Sequence, residues 1–112
     1  MKASIVAAAT GHGRSIHRIW IYDSGAGCSI IGRSYITDSE RASEEPTYAR
    51  YFLTAHGKVT CTSTAKCYVP HLGIRRCYIL DNDCSPLLSV GEDVSDYGNV
   101  FYWDVAGPVI ET

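Results

Sequence analysis

The 112-residue sequence predicts an all-β barrel or sandwich. Short segments rich in β-branched and aromatic side chains recur along the chain, glycines separate them, and little of the chain has a helical pattern. Hydrophobic residues make up 46% and charged residues 20%, which is typical of an ordinary globular protein. We expect residues 1–112 to form a single domain, with residues 1–15 as a flexible or edge-strand N-terminus.

The first two predicted strands surround a glycine-rich turn. Residues 16–22 (Ile-His-Arg-Ile-Trp-Ile-Tyr) predict a strand that runs into a turn at residues 23–27. Residues 28–31 are again apolar and predict a strand that ends at Gly32. Residues 37–46 carry five charged side chains and few apolar ones, so we expect a solvated loop there.

The rest of the chain predicts a hairpin, further strands and one helix. Residues 50–54 and 59–69 predict paired strands joined by a turn in which Gly57 supplies a positive φ. Residues 73–80 predict another strand, and the apolar segment after Pro86 opens a single helical stretch. Two short strands are predicted to close the chain, at residues 100–103 and 109–110.

Charge and cysteine content exclude several classes of function. Ten basic against twelve acidic residues give a formal charge of −2, which argues against nucleic-acid binding through a basic face. No apolar run approaches the ~20 residues of a membrane span, so we expect no membrane partner. Five cysteines without a convincing secretion signal indicate reduced, buried or half-buried thiols and a cytoplasmic location.

The four residues Asp23-Ser24-Gly25-Ala26 are the informative motif, because they follow one apolar strand and precede another. Asp, Ser and Gly are also ordinary turn formers, so a plain strand-to-strand turn is the simpler interpretation. A carboxyl group at the end of an Ile-Trp-Ile-Tyr strand, however, has apolar neighbours that resist its ionisation. Its position therefore favours a chemical role.

This loop resembles the catalytic loop of the retropepsin-like aspartic proteases. Residues 51–110 are similar, in order and spacing, to the second half of the proteases of copia-type retrotransposon polyproteins. The similarity includes a small-residue-plus-Gly turn at residues 54–57, a Leu-Leu-Ser-Val segment at residues 87–90 and a Gly-x-x-aromatic ending at residues 98–101. It implies one lobe of an acid protease: a closed β-barrel with a flap hairpin and one short helix near the C-terminus. It also implies an aspartic endopeptidase without metal or other cofactor that matures a polyprotein, in the cytoplasm or within a virus-like particle.

The resemblance assigns a role to each residue of the site. Asp23 would be the catalytic carboxyl, and the loop would be supported by Ser24, whose hydroxyl bonds across to the partner loop, by Gly25, which admits a close backbone approach, and by Ala26, which keeps the subsite floor small. The expected substrate-binding residues are Gly27 in the loop and Thr54, Ala55, His56, Gly57 and Lys58 in the flap. Residues 86–90 would pack beneath the loop.

The chemistry requires a second copy of the chain. Hydrolysis by carboxyl groups needs a base and an acid, and two carboxyls about 3 Å apart share one proton and supply both. The sequence contains one Asp-(Ser/Thr)-Gly loop, so an active site would require a homodimer with Asp23 of each chain at the two-fold axis. An extended peptide or polyprotein would be the substrate.

Two alternatives remain open on the sequence alone. Retropepsins often have an acidic residue soon after the loop, where this chain has Gly27 and Cys28, so a catalytically degenerate β-domain that serves dimerisation or protein binding is the first alternative. The second is a zinc site built from Cys61, Cys67, His71, Cys77 and Cys84, but their spacing lacks the close pairs of structural zinc motifs.

Overall fold

The computed structural model describes residues 2–11, 14–23, 25–54 and 57–111, and its described residues are mostly β. The elements in chain order are β1 (Lys2–Gly11), β2 (Arg14–Asp23), β3 (Ile30–Gly32), a 3₁₀ turn (Arg33–Tyr35), α1 (Asp38–Arg41), β4 (Glu45–Thr54), β5 (Gly57–Val69), β6 (Gly73–Leu80), β7 (Leu87–Ser89), α2 (Val90–Tyr97), β8 (Val100–Asp104) and β9 (Gly107–Glu111). Neither helix of the described chain is long and apolar enough to cross a membrane.

Seven of the strands form one sheet in the order β1-β2-β7-β3-β6-β5-β4, and β8 pairs with β9 in a separate hairpin. The pairs β2–β7 and β3–β6 are parallel, whereas the other pairs are antiparallel. The expectation of an all-β fold is therefore confirmed. The expectation of a closed barrel is wrong, because closure needs hydrogen bonds between the first and last strands, and β1 and β4 stay at opposite ends of the described sheet.

Most of the predicted elements are present. Each predicted strand lies within or overlaps an observed one, and β1 is an edge strand at one end of the sheet. The predicted helix is present as α2, but the apolar segment that was expected to open it is strand β7 up to Ser89, because it pairs with β2. The helix therefore begins only at Val90, and it ends at Gly98, whose φ of 72° is the left-handed conformation that glycine adopts easily.

Strand β2 supplies the centre of the core. Its side chains alternate, so that Arg18, Trp20 and Tyr22 are buried while Ile19 is half exposed. Trp20 and Tyr22 belong to a cluster of buried side chains that spans the sheet and includes Ile31, Ile36, Val69, Ile79 and Leu88.

The segment 37–46 is not the solvated loop that its charges predicted. Thr37 caps α1 in a capping box with Glu40: the Thr37 hydroxyl accepts the Glu40 N–H, and the Glu40 carboxylate accepts the Thr37 N–H. Glu40 is buried because Arg18, itself buried in β2, donates to both of its carboxylate oxygens at 2.6 Å. Arg18 also donates to the carbonyl oxygens of Tyr35 and Tyr68. A buried cation on β2 therefore draws the acidic segment into the core.

Replacing Glu40 by Gln should destabilise the fold by about 3–5 kcal/mol, because the Arg18 charge would stay buried without a counter-ion. The matched control is Glu44→Gln, which breaks the partly exposed pair with Arg33 and should cost under ~1 kcal/mol. Urea unfolding at neutral pH, followed by tryptophan fluorescence, measures both changes. Equal losses in the two variants would contradict a structural role for the buried pair.

The same pair predicts how stability depends on pH. Burial by itself raises the pKa of Glu40, but hydrogen bonds from Arg18 and from the Tyr68 N–H outweigh it and lower the pKa below the ordinary 4.5. A lowered pKa in the folded state means that the ionised pair stabilises fully above pH 4.5 and loses its effect as the pH falls through the lowered value. The difference in unfolding free energy between wild type and Glu40→Gln should therefore be constant from neutral pH to 4.5 and shrink below it. A difference that already shrinks above pH 4.5 would show that another group controls it.

Candidate active site

Asp23 is the last residue of β2 and lies half-buried at the start of the glycine-rich loop. Its Oδ1 accepts the Gly25 N–H at 2.8 Å, and its carbonyl oxygen accepts the Ala26 N–H at 3.4 Å. A Cβ atom on Gly25 would lie 3.3 Å from Asp23 Oδ1, so any larger residue at this position would crowd the carboxylate. Gly27, the next glycine of the loop, is exposed, and a Cβ there would meet nothing within 4 Å. The loop thus turns tightly around its carboxyl group and exposes its backbone at Gly27.

Strand β7 lies alongside the loop. Its three residues pair in parallel with β2, so that Ser89 lies opposite Asp23. The Ser89 hydroxyl donates to the Ala26 carbonyl at 2.8 Å. The segment 86–90, for which the retropepsin resemblance implies a place beneath the loop, is therefore directly bonded to it.

The loop and the first turn of α2 share one set of capping hydrogen bonds. The Ser89 hydroxyl caps α2 by accepting the Glu92 N–H at 3.1 Å. In an ordinary capping box, the Glu92 carboxylate would then accept the Ser89 N–H. Here Ser29 of the loop stands between them: its hydroxyl accepts the Ser89 N–H at 3.0 Å and its N–H donates to Glu92 Oε1 at 2.7 Å. The helix start therefore fixes the conformation of the loop that carries Asp23.

Burial affects the ionisation of Glu92 in the first turn of α2. It raises the pKa of Glu92 above the ordinary value, although the N–H of Ser29 partly opposes the rise. Asp96, one turn further along α2, raises the pKa as well. The carboxylate next to the loop is thus more easily neutralised than an ordinary glutamate.

A second carboxylate of α2, Asp93, lies behind the loop and is buried. It accepts the Tyr22 hydroxyl, two guanidinium N–H groups of Arg75 at 2.7 and 2.9 Å, and the Asn99 side-chain amide at 2.9 Å. Burial, followed by the bond to Asp93, raises the pKa of Tyr22, so the phenol stays protonated and remains a donor. Asp93 thereby ties the residue before Asp23 to α2 and to β6.

Strands β4 and β5 form the hairpin expected of a flap. Thr54 pairs with Gly57, so two residues connect the strands, and Gly57 has the expected positive φ of 109°. Gly57 and Lys58 are exposed at the start of β5. Three of the expected site residues, Ser24, Ala55 and His56, lie outside the described residues.

A small apolar cluster connects this hairpin to the loop region. Phe52 and Val59, which face each other across the hairpin, pack with Cys28, Leu87 and other residues around buried Ile30 and Leu80. Burial raises the pKa of the Cys28 thiol, so it remains protonated near neutral pH. The inner face of the hairpin and the chain that follows Gly27 therefore meet on one side of the sheet.

The structure gives no support to a zinc site. Cys61, Cys67 and Cys77 are buried, and Cys28 and Cys84 are half-buried. In the described part of the chain, His, Cys, Asp and Glu side chains do not gather in any group of three that could hold a metal ion. Cys67 and Cys77 lie in contact on neighbouring strands, where their mutual hydrogen bond and burial raise the pKa of the Cys77 thiol.

Several residues around the loop were missed by the sequence analysis. The spacing Ser89-x-x-Glu92 is that of a capping box and could have marked the start of α2. Neither Ser29 nor Asp93 has such a signal, because their roles depend on partners that lie far away in the sequence.

The shared caps predict the effect of removing the Ser89 hydroxyl. Ser89→Ala should lower the unfolding free energy by about 1–3 kcal/mol, because α2 loses its cap and the Ala26 carbonyl loses its donor. Ser95→Ala is the control within the same helix: its exposed hydroxyl donates only to the Gly91 carbonyl and to Asp96, and the change should stay within ~0.5 kcal/mol. Chemical denaturation of both variants measures the difference, and equal effects would contradict the shared caps.

Comparisons with known proteins do not add a relative. Neither protein-family models, nor curated protein sequences, nor solved structures match this chain. Any function of the chain is therefore to be inferred from the Asp23–Ala26 motif, from the segment 87–90 and from the geometry around them.

Proposed function

We propose that this protein is an aspartic endopeptidase of the retropepsin type that acts as a homodimer. The observation that carries the proposal is the Asp23 loop, which holds a half-buried carboxyl group at the end of a core strand and is tied to the Leu-Leu-Ser segment by the Ser89 hydroxyl. Turn-forming residues alone would not require this support, because a solvated turn satisfies its backbone groups with water. The proposed role is the maturation of a polyprotein of a retrotransposon or retrovirus-like element.

The proposed reaction uses Asp23 from each of two chains. One carboxylate removes a proton from a bound water, and the water oxygen attacks the carbonyl carbon of the peptide bond. The other carboxyl gives its proton to the carbonyl oxygen, and the tetrahedral intermediate then expels the amine, which takes up a proton from the pair. The two Asp23 groups titrate as a pair, so neither is acid or base before substrate binds.

The hairpin and the loop supply the rest of the proposed site. Residues 54–59 would close over the substrate and exclude water, and the backbone of the hairpin would pair with an extended peptide. Gly27 is exposed and a Cβ there would meet nothing within 4 Å, so its backbone would be accessible to the substrate. The proposed hydrolysis requires neither a metal ion nor an organic cofactor.

Asp23→Asn should abolish cleavage of a peptide library or of the surrounding polyprotein, with a loss of at least about a thousandfold, because an amide can neither take up nor give the proton. The control is Asp38→Asn, which makes the same change at an exposed residue of α1 and should leave cleavage unchanged. Thermal unfolding should give similar midpoints for wild type and Asp23→Asn. Undiminished cleavage by Asp23→Asn would refute the mechanism.

A statine-type inhibitor separates this function from that of a non-catalytic β-domain. Its hydroxyl group binds between two carboxyls, so it should raise the melting temperature of the wild type and not that of Asp23→Asn. Sedimentation gives an independent check, because a chain that stays monomeric at high concentration cannot form the carboxyl pair. The absence of both inhibitor binding and dimerisation would favour a catalytically degenerate domain.

A further inference from the structure

Arg50 is an exposed cation on β4 whose hydrogen-bonding capacity is only partly used. Its guanidinium stacks on Tyr78, 4.9 Å from the ring centroid, and Nη1 donates to the Tyr78 hydroxyl at 2.7 Å. Within the described parts of the chain, no carboxylate forms a salt bridge with it. The stacking orients the guanidinium, while Nε and Nη2 remain as two donors in the fork that binds carboxylates.

The position of Arg50 places this fork on the face of the hairpin that packs toward the chain after the Asp23 loop. Arg50 lies opposite Cys61 in the hairpin and two residues before Phe52, so it shares the face of β4 that packs toward Cys28. Burial raises the pKa of Cys28 and of Glu92, and the Arg50 charge opposes the rise at both groups. The Arg50 charge therefore reaches Cys28, which follows the Asp23 loop, and Glu92, which lies in the first turn of α2.

The nearby carboxylate of Glu92 attracts Arg50 but is not in contact with its guanidinium. Its Oε1 already accepts the Ser29 N–H, and it forms no salt bridge with the guanidinium. A peptide that lies along the rim where the hairpin meets residues 25–28 would thus meet an oriented positive charge beside the half-buried side chains of Phe52 and Val59.

We propose that Arg50 is a specificity-determining residue that selects peptides with an acidic side chain outside the two residues that flank the scissile bond. This inference rests on the proposed protease function and extends it to the substrate class. A substrate carboxylate would form charge-assisted hydrogen bonds with Nε and Nη2 while Nη1 keeps its bond to Tyr78. Because each chain of a homodimer supplies one Arg50, the preference should occur at two positions, one on each side of the cleaved bond.

The test is a peptide library in which each position outside the flanking pair is varied among Glu, Gln and Lys. Wild type should cleave the best Glu peptide with a kcat/KM about 10-fold to 100-fold above that of its Gln counterpart. Arg50→Glu should invert this preference toward the Lys peptide at the same position. Lys66→Glu is the matched control: Lys66 lies farther along β5, where it pairs with Arg76 of β6, and it is exposed between the buried residues Ala65 and Cys67. The same charge change there, outside the proposed site, should leave the preference as in wild type.

The possible outcomes distinguish the inference from the function on which it rests. Inversion in Arg50→Glu and its absence in Lys66→Glu support the inference. An equal loss of cleavage for all three peptides would mean that Arg50 only supports Tyr78, and would overturn it. Cleavage that is abolished in Asp23→Asn but shows no charge preference in wild type overturns the inference and leaves the protease intact. Absence of both cleavage and inhibitor binding in wild type overturns both.

A second variant covers the case in which Arg50→Glu fails to fold. Arg50→Gln keeps a donor for the Tyr78 hydroxyl and removes the charge, so it should lose the preference for Glu over Gln peptides without gaining one for Lys. Retention of the full preference for Glu in Arg50→Gln would overturn the inference.

Discussion

The parallel pairing of β2 with β7 is the constraint on which the candidate site depends. It places Asp23 opposite Ser89, although 65 residues separate the two positions in the sequence. Because Ser89 is also the N-cap of α2, the same pairing brings the first turn of a helix against the loop. A parallel pair needs a long connection, and here β3 to β6 make that connection and contribute the neighbouring strands of the sheet. The register of the β2–β7 pair therefore positions the loop, the helix and the sheet relative to one another.

Two buried ion pairs make that register difficult to change. Arg18 on β2 binds Glu40 of α1, and Arg75 on β6 binds Asp93 of α2. A slip of one residue along β2 would turn Ile19 inward and move Arg18 to the outer face, leaving Glu40 buried without a partner. Buried pairs of this kind contribute little net stability compared with apolar contacts, but an unpaired buried charge is costly. Their main effect is to penalise the wrong arrangement.

How far the sequence predicts this structure depends on the distance between interacting residues. Strand patterns and turns are local, so β6, the hairpin turn at Gly57 and the helix after Ser89 follow from neighbouring residues. The segment 37–46 is different: the spacing of Thr37 and Glu40 is that of a capping box, but the burial of Glu40 depends on Arg18, more than twenty residues away along the chain. Closure of the sheet is likewise a property of its two edge strands, and no local pattern specifies whether they meet. Within the site, the Asp-Ser-Gly-Ala motif identifies Asp23, whereas no local sequence pattern identifies Asp93, because its partners are distant in the sequence.

The strand that carries Asp23 uses its two faces for different purposes. Consecutive side chains of a strand point in opposite directions, so the orientation of Tyr22 determines that of Asp23. Tyr22 is held in the core by its hydrogen bond to Asp93, and because its pKa is raised it keeps the proton that this bond needs. Asp23 must then leave the core side and turn toward the loop, where the Gly25 N–H meets it. In the proposed dimer, two carboxyls that share one proton tolerate little displacement, since their coupling falls steeply beyond contact distance. Asp93 of α2, which is buried against one face of β2, thus helps to fix the direction of the Asp23 carboxyl on the other face.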